Sequence, residues 1–525
     1  MLAKSLSIYK LPLLSALLIS LSYIPFYPWA TLFSFIPLWI FILRSKSLKT
    51  VFYGSLITGT LLAAISSYWI FIAIFEFGQI PVLLALPLSL LFFLIAQLFI
   101  PLSSVCSFLI KKHFQLNKAY GLLVLATIFS LLQQFTPTPL PWFASTTFLQ
   151  YQIPLYHFAD LIGFAGLNSV LLLFNASLGY AYLYKKKYWA LNTIILFFTL
   201  VSLGHFYGQA YKTSTVKNQK TLSMQIVQTG IGSVIDYKKY FINKPSKLQK
   251  NFNPRRQILE LHKKETLKTI KPNSISLWPE SALLNYANQN NPLSQNLNAF
   301  SKTHNISIIF GSWFFNQKHQ APQISLFFHS PKDTKSTLSY KKVKLVPFGE
   351  TLPLQQYFPK FIQWIYTQIP SVGNFLAEKK PLIKTFQNIN FGSQICYESL
   401  FPELSRDLSQ QGAQILINVS NDSWYDSWFQ PRQHLYTSFS RAIENRLPMV
   451  RATTTGISGA ILANGNVLKL SPYKKGASWS HLYSIKYLQN PSPSFYAKHP
   501  YWFNYLLLIF LFSLLITKYK KNNCN

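Results

Sequence analysis

The chain has 525 residues, 50% of them hydrophobic and 16% aromatic with only 12% charged, and its mean hydropathy of +0.18 turns the reading away from an ordinary soluble globule and toward membrane insertion. Lys and Arg number 49 against 15 Asp and Glu, a net charge of +34 that reflects missing acids as much as added bases. Glu76 and Asp160 alone among the acids precede residue 208, so an apolar N-terminal part is followed by a polar remainder.

Crossing a hydrocarbon core takes about 20 helical residues. Apolar stretches of roughly that size run from Ile8 to Ile24, Pro28 to Leu43, Val51 to Phe75, Ile80 to Ile110, Tyr120 to Phe135, Pro154 to Tyr184, Tyr188 to Tyr207 and, isolated near the C-terminus, Tyr501 to Thr517. Basic residues follow every second stretch: Arg44, Lys46 and Lys49, then Lys111, Lys112 and Lys118, then Lys185 to Lys187, then Lys518, Lys520 and Lys521. The links around Phe26, Gly78 and Pro137 carry no Lys or Arg. By the positive-inside rule both termini are then cytoplasmic, and the segment between the seventh and eighth spans lies outside. A signal peptide does not explain seven successive spans. The expected organisation is a membrane domain of about seven transmembrane helices over residues 1–207, an extracytoplasmic domain over 208–500, and a final transmembrane helix with a basic tail over 501–525. Long translocated domains largely escape the charge rule. The basic surplus of 208–500 therefore reads as a solvated face suited to anionic lipid head groups, with no nucleic acid as partner.

Within 208–500, short β-rich runs appear at Leu222 to Gln228, Ser274 to Trp278, Ile306 to Gly311, Ile324 to His329, Ile389 to Ile395, Gln414 to Val419 and Gly459 to Ala463. Helix candidates such as Pro254 to Ile270 and Gln433 to Asn445 lie between them. Strands alternating with helices predict an α/β domain whose sheets are covered by helices.

Three clusters set a reactive side chain directly after a strand-like run. In Leu277-Trp278-Pro279-Glu280-Ser281 the carboxylate is either a first-turn helix acid or a partly desolvated base with a raised pKa. In Tyr340-Lys341-Lys342-Val343-Lys344 the lysines are either one solvated strand face or include one cation aimed into a cleft, where it would stabilise a thiolate and an oxyanion. Glu350, a few residues on, could hold such a lysine. The third is Cys396, one of three cysteines, with Cys106 in an apolar segment and Cys524 in the lysine-rich tail. It has no evident disulfide partner and reads either as a small core residue or as a nucleophile, with the Tyr397 amide as oxyanion donor and Glu398 beside it. His434 is the nearest histidine, with a structural role in its helix as the plainer reading. No metal-ligand spacing or nucleotide-binding glycine motif appears, so no cofactor is expected.

Glu, then Lys, then Cys, each after a strand, resembles the catalytic arrangement of the nitrilase superfamily. With its flanking spans the chain is similar to the apolipoprotein N-acyltransferases of bacterial envelopes. The runs that carry the resemblance are Trp278-Pro279-Glu280-Ser281-Ala282, Leu345-Val346-Pro347-Phe348-Gly349-Glu350, Cys396-Tyr397-Glu398, Asn421-Asp422-Ser423-Trp424 and Arg451-Ala452-Thr453-Thr454-Thr455-Gly456-Ile457. The resemblance implies an α-β-β-α sandwich and a triad of Glu280, Lys342 and Cys396. Lys342 is preferred over Lys341 and Lys344 because it stands three residues before the Leu345 run. Glu350, Tyr397 and Glu398 are implied as supporting residues. The implied reaction moves an acyl chain from a phospholipid, through a cysteine thioester, to the N-terminal amine of a lipid-modified cysteine on an apolipoprotein. The implied setting is the bacterial inner membrane, with the catalytic domain on its periplasmic face.

The family's usual Trp in the loop after Gln228-Thr229 is missing between Gly230 and Asn253, and Tyr425-Asp426-Ser427-Trp428 stands where relatives often carry a glycine. Between Glu350 and Cys396, the aromatic stretch Tyr357 to Pro370 is either an amphipathic helix packed on the domain or a lid that dips into the outer leaflet through Phe361 and Trp364. Two rival functions share parts of the pattern: a membrane-tethered amidase that uses water as acceptor, and a transporter with a large outer domain. The scarcity of ionisable residues in the spans speaks against transport.

Overall fold

In the computed structural model, residues 8–215, 218–231, 254–288, 292–352, 355, 357–368, 373–425, 427–473 and 476–523 are described. The chain forms two units, one of Met1–Phe75, Ile80–Lys212 and Ser494–Asn525, the other of Glu76–Gln79 and Thr213–Pro493.

The first unit is helical because an apolar segment in lipid must satisfy its own backbone polar groups. Among the described residues, five helices are long and apolar enough to cross a membrane: Leu48–Ser66, Lys118–Phe135, Pro154–Leu183, Lys187–Ser214 and Trp502–Lys520. The pair Val82–Ala96 and Phe99–His113, bent by 42°, makes a sixth if it is one broken span. At the N-terminus the first two apolar stretches form shorter helices than one span each would need. The first stretch forms only the 12-residue helix Lys10–Leu21. The second breaks into Pro28–Leu32 and Ile36–Arg44, a last piece of roughly 14 Å at 1.5 Å per residue. Prolines at positions 25, 28 and 37 limit helix continuation. The break is satisfied internally: the Phe35 amide donates to Asn175 Oδ1 at 3.0 Å, and Asn175 Nδ2 donates to the Thr31 carbonyl at 2.7 Å.

The second unit is built on two sheets. The strands are β1 (Gln219–Gln228), β2 (Ile275–Leu277), β3 (Ser307–Asn316), β4 (Ala321–His329), β5 (Thr337–Lys341), β6 (Ile383–Phe386), β7 (Ile389–Ile395), β8 (Ile415–Ser420), β9 (Met449–Thr453), β10 (Gly459–Ile461) and β11 (Trp479–Leu488). One sheet has the order β11-β1-β2-β3-β4-β5 and the other β10-β9-β8-β7-β6. Strands β1-β2-β3 and β7-β8-β9 are parallel. Parallel strands are usually covered on both faces, and period-2 alternation supplies both coverings. Ile226, Leu277, Ile309, Leu326 and Phe328 of the first sheet share one core with Phe391, Ile395, Ile417, Val419 and Val450 of the second. The alternate residues Val227, Ile308, Phe310 and Phe327 pack outward on Leu259, Leu297 and Phe300, from helices Pro254–Leu267 and Pro292–His304. Helices Pro402–Gln410 and Gln430–Asn445 supply the other apolar layer with Leu404, Leu408, Leu435 and Phe439. The result is an α-β-β-α sandwich.

Candidate active site

Three reactive side chains emerge just past the C-terminal ends of β2, β5 and β7, and each cluster contains a non-glycine residue with positive φ: Ser281 at +56°, Phe348 at +64° and Cys396 at +53°. Such backbone strain persists only where surrounding contacts enforce it, and it concentrates at working sites.

Glu280 does not start a helix; it sits in a turn, 5% exposed. The helix-acid reading is therefore set aside. β3 presses against this turn at Gly311, where a Cβ would stand 2.7 Å from the Glu280 Cα and from the Pro279 oxygen, so only glycine fits. One Glu280 carboxylate oxygen lies 3.3 Å from Lys342 Nζ, and the other accepts the Asn421 amide at 2.9 Å. Burial raises the Glu280 pKa, with Lys342 opposing and Glu350 adding to the rise.

Lys342 is fully buried, one residue beyond β5, and the solvated-face reading fails for it. Its Nζ also lies 2.6 Å from Glu350 Oε1, while Glu350 Oε2 accepts the Val346 amide at 2.8 Å. Burial alone would favour the neutral amine, but Glu280, Glu350 and Cys396 together hold its pKa well above the ordinary value. Lys341 and Lys344 instead pair with Glu378 and Glu403 at partly exposed positions.

Cys396 opens the short 3-10 turn Cys396–Leu400 directly after β7. Burial, aided by Glu280 and opposed by Lys342, pushes its thiol up to about 12. The resting group is therefore a thiol, and nucleophilic attack requires a base. Cys106 is also unbridged, and Cys524 lies outside the described residues.

Glu398 joins the lysine segment to the Cys396 segment. Its Oε1 accepts Tyr340 Oη at 2.9 Å and the amides of Val343 and Lys344 at 2.6 and 3.1 Å, while its Oε2 accepts the Ile395 amide at 2.6 Å. Burial raises this carboxyl to about 7 against those donors. Tyr397 stacks edge-on against Phe401 at 4.9 Å, and burial raises its phenol pKa.

Two contacts were not read from the sequence, although it pointed to both stretches. The Asn421 amide on Glu280 comes from the loop after β8, whose Asn421-Asp422-Ser423-Trp424 run carried the family resemblance without a role. His434 reaches Cys396 from 38 positions away in sequence: Nε2 lies 3.1 Å from the Cys396 carbonyl oxygen, and Nδ1 lies 2.9 Å from Asp422 Oδ1. Burial lowers the His434 pKa, with Arg451 adding to the fall and Asp422 opposing it.

Cys396 Sγ, an Asp422 oxygen and a His434 nitrogen lie within 4.8 Å of one another, a spacing that could hold a metal ion. The donor set fits a cation poorly. Asp422 Oδ2 already accepts Arg451 Nη2 at 3.0 Å, and both ring nitrogens face oxygen acceptors. Against burial, which raises it, His434 and then Arg451 hold the Asp422 carboxyl well below the usual carboxylate range.

Residues 250–486 match the carbon-nitrogen hydrolase family, and residues 15–177 match the apolipoprotein N-acyltransferase N-terminal domain. An apolipoprotein N-acyltransferase of Bdellovibrio bacteriovorus is 34% identical over 525 aligned residues, covering 96% of this chain and 92% of that protein. The chain belongs to the apolipoprotein N-acyltransferase family. Members from Geobacter metallireducens, 26% identical over 81% of this chain and 80% of that protein, and from Pasteurella multocida, 23% identical over 96% and 95%, are also similar. Among solved structures, an amidase from Nesterenkonia sp. is 15% identical, with a TM-score of 0.36 over 53% of this chain and 92% of that one. As a member of the apolipoprotein N-acyltransferase family, the chain joins apolar spans to a carbon-nitrogen hydrolase domain. The stretch that lacks the usual Trp, between Gly230 and Asn253, lies largely outside the described residues, as does Asp426.

Proposed function

We propose that this chain is a membrane acyltransferase of lipoprotein maturation in which Cys396 is the nucleophile, Glu280 the general base and Lys342 the oxyanion cation. Cys396 Sγ bonds to an ester carbonyl of a phospholipid as Glu280 takes the thiol proton. The ester C–O bond then breaks, and the leaving alkoxide recovers that proton as lysophospholipid. In the second half the N-terminal amine of a lipid-modified cysteine attacks the thioester, an amide C–N bond forms, and the C–S bond breaks. Glu280 carries the amine proton back to sulfur. Lys342 and the Tyr397 amide hold the oxyanion in both steps. Glu350, Tyr397 and Glu398 support the triad.

The observation that carries this reading is the buried Glu280–Lys342–Glu350 group beside a thiol that needs a base, in a chain related to acyltransferases along 96% of its length. The test is intact-mass spectrometry after incubation with phospholipid. An acyl adduct on Cys396 that moves to a diacylglyceryl-cysteine peptide is the expected result. Release as free fatty acid with the peptide unmodified would mean an amidase-like hydrolase instead.

The charge pattern of the links supports a catalytic unit on the periplasmic face of the inner membrane, with both termini cytoplasmic. In sealed spheroplasts, an external thiol probe should label cysteines introduced at exposed positions between 213 and 493. Cysteines at Lys186 and Lys520 should stay unlabelled until the membrane is opened, and the reverse pattern would invert the orientation.

The helix Pro359–Gln368 lies between Glu350 and the nucleophile strand. Ile362 is buried, whereas Trp364 is 57% exposed and the preceding Tyr357 and Phe358 are 67% and 57% exposed. The side chain of Phe361 lies outside the described residues. One face of this helix packs on the domain, and its aromatic rim is suited to an acyl chain at the membrane interface. Replacing Phe361 and Trp364 with Ser is expected to depress turnover of bilayer phospholipid far more than that of a short-chain soluble ester, with little change in melting temperature. Equal losses on both substrates, with a marked fall in melting temperature, would make these side chains core.

A further inference from the structure

We propose that His434 is a positioning residue for the acyl transfer, holding the Cys396 elbow by a hydrogen bond from Nε2–H to the Cys396 carbonyl. This rests on Cys396 being the nucleophile and adds a group that the Glu-Lys-Cys assignment leaves out.

Cys396 has a φ of +53°, a conformation that a residue with a Cβ keeps only when its neighbours impose it. On the N-terminal side, the Ile395 amide is fixed on Glu398. On the C-terminal side, the Cys396 carbonyl oxygen receives Ser399 Oγ at 3.1 Å and faces His434 Nε2 at 3.1 Å, with Asn418 Nδ2 farther off at 3.5 Å. Turning the elbow back to negative φ would swing this carbonyl off both partners. It would also move the Tyr397 amide, the proposed oxyanion donor, because that amide belongs to the same peptide plane.

The ring is itself held from behind. Asp422 Oδ1 lies 2.9 Å from Nδ1 and accepts Ser420 Oγ at 2.9 Å, and Asp422 Oδ2 accepts Arg451 Nη2 at 3.0 Å. Arg451 also donates to Asn418 Oδ1 and Ser438 Oγ. Ser438 Oγ closes the network on Ser399 Oγ at 2.6 Å. Gly456 packs so closely on Asp422 that a Cβ there would clash with Oδ2. The chain of contacts therefore runs from β9 through the loop after β8 and the helix Gln430–Asn445 to the backbone of the nucleophile. It does not aim the ring at the thiol as a base: both ring nitrogens are directed at oxygens that only accept, one on the Asp422 carboxylate and one on the Cys396 carbonyl, so the ring makes both bonds as the imidazolium, which those two acceptors favour against burial and Arg451.

The test compares His434→Ala, His434→Leu and His434→Gln in the full-length, membrane-embedded protein. Glutamine can place an N–H near the position of Nε2 and has no pKa in the working range, whereas leucine keeps bulk without a donor. Ala and Leu should slow formation of the acyl-enzyme by roughly 10- to 100-fold, the scale of a misplaced reacting group, with KM for phospholipid unchanged. Gln should recover most of the rate. Should the Ala variant fail to fold, the Leu and Gln pair carries the same contrast. A folded Ala or Leu variant at the wild-type rate would overturn the proposal. So would a Gln variant as slow as Leu, since that assigns the ring to proton transfer or packing. Cys396→Ala in parallel keeps the two readings apart: activity in that variant sinks the nucleophile assignment itself, whatever His434 does.

Discussion

Cys396→Ala is expected to abolish lysophospholipid release and acyl transfer together, a loss of at least about 10³-fold, the scale of removing a covalent nucleophile, while the protein stays folded. The thiol is the only group at the end of β7 that can form a thioester, and its replacement leaves the hydrogen bonds of Glu398, Ser399 and His434 to neighbouring backbone atoms in place. Ala carries the same Cβ as Cys, so the φ of +53° is no more strained in the variant. Only the packing of one sulfur is lost. Cys106→Ala and Cys524→Ala should remain active. The measurement is release of labelled lysophospholipid and appearance of N-acylated peptide, with melting temperature as the control for folding. Wild-type turnover by Cys396→Ala would remove the mechanism.

The two families of strands were unequally visible in the sequence. β2 and β7 were legible because Ile275–Leu277 and Ile389–Ile395 are apolar runs bounded by turns, buried on both faces as parallel strands are. The edge strand β6 was not read as a strand, and β5 only as the strand-like run beside the lysines, since an edge strand with one wetted face carries charges such as Lys341 and Lys384 that look like loop. β9 was hidden for the opposite reason. Arg451 in its centre signals exposure, yet it is fully buried, its charge matched by Asp422. That pairing is long-range and leaves no local trace. The helix read as starting at Gln433 begins at Gln430, because Pro431 occupies its first turn, where a missing N–H does no harm. His434 illustrates the limit: a structural role in its helix was the plainer reading, and only the sandwich brings the ring against the Cys396 carbonyl. Glu280, Lys342 and Cys396 were legible because all three follow strand ends, and α/β sheets present residues to a cleft at that edge.

Lys342→Met is expected to lower the rate by about 10²-fold or more, because a missing oxyanion donor is worth that much by itself. The structure adds a second loss. Lys342 Nζ lies between Glu350 Oε1 at 2.6 Å and Glu280 Oε1 at 3.3 Å, all three groups buried. Breaking a buried pair by removing one partner is destabilising by about 3–5 kcal/mol unless the orphaned charge is neutralised. Neutralisation means protonating a carboxylate, and Glu280, already raised by burial, then holds a proton of its own and is no longer a base for the thiol. The sign of the pH effect follows. Without the lysine, the folded-state carboxylates hold protons more tightly than the unfolded ones, so the variant's stability is retained at low pH and lost as pH rises. Its melting-temperature deficit against wild type should therefore narrow on acidification, even as activity stays low. Lys341→Met and Lys344→Met serve as controls. Their partners, Glu378 and Glu403, are partly exposed, where an ion pair contributes about 0–1 kcal/mol. Methionine also removes the ammonium that Lys341 places over the Phe314 ring and Lys344 over Phe401, contacts of about 0.5–1 kcal/mol at exposed sites. If Lys344→Met were the variant to lose activity and Lys342→Met kept it, the buried Glu280–Lys342–Glu350 group would be a structural ion cluster and the oxyanion cation would have to come from the partly exposed lysine.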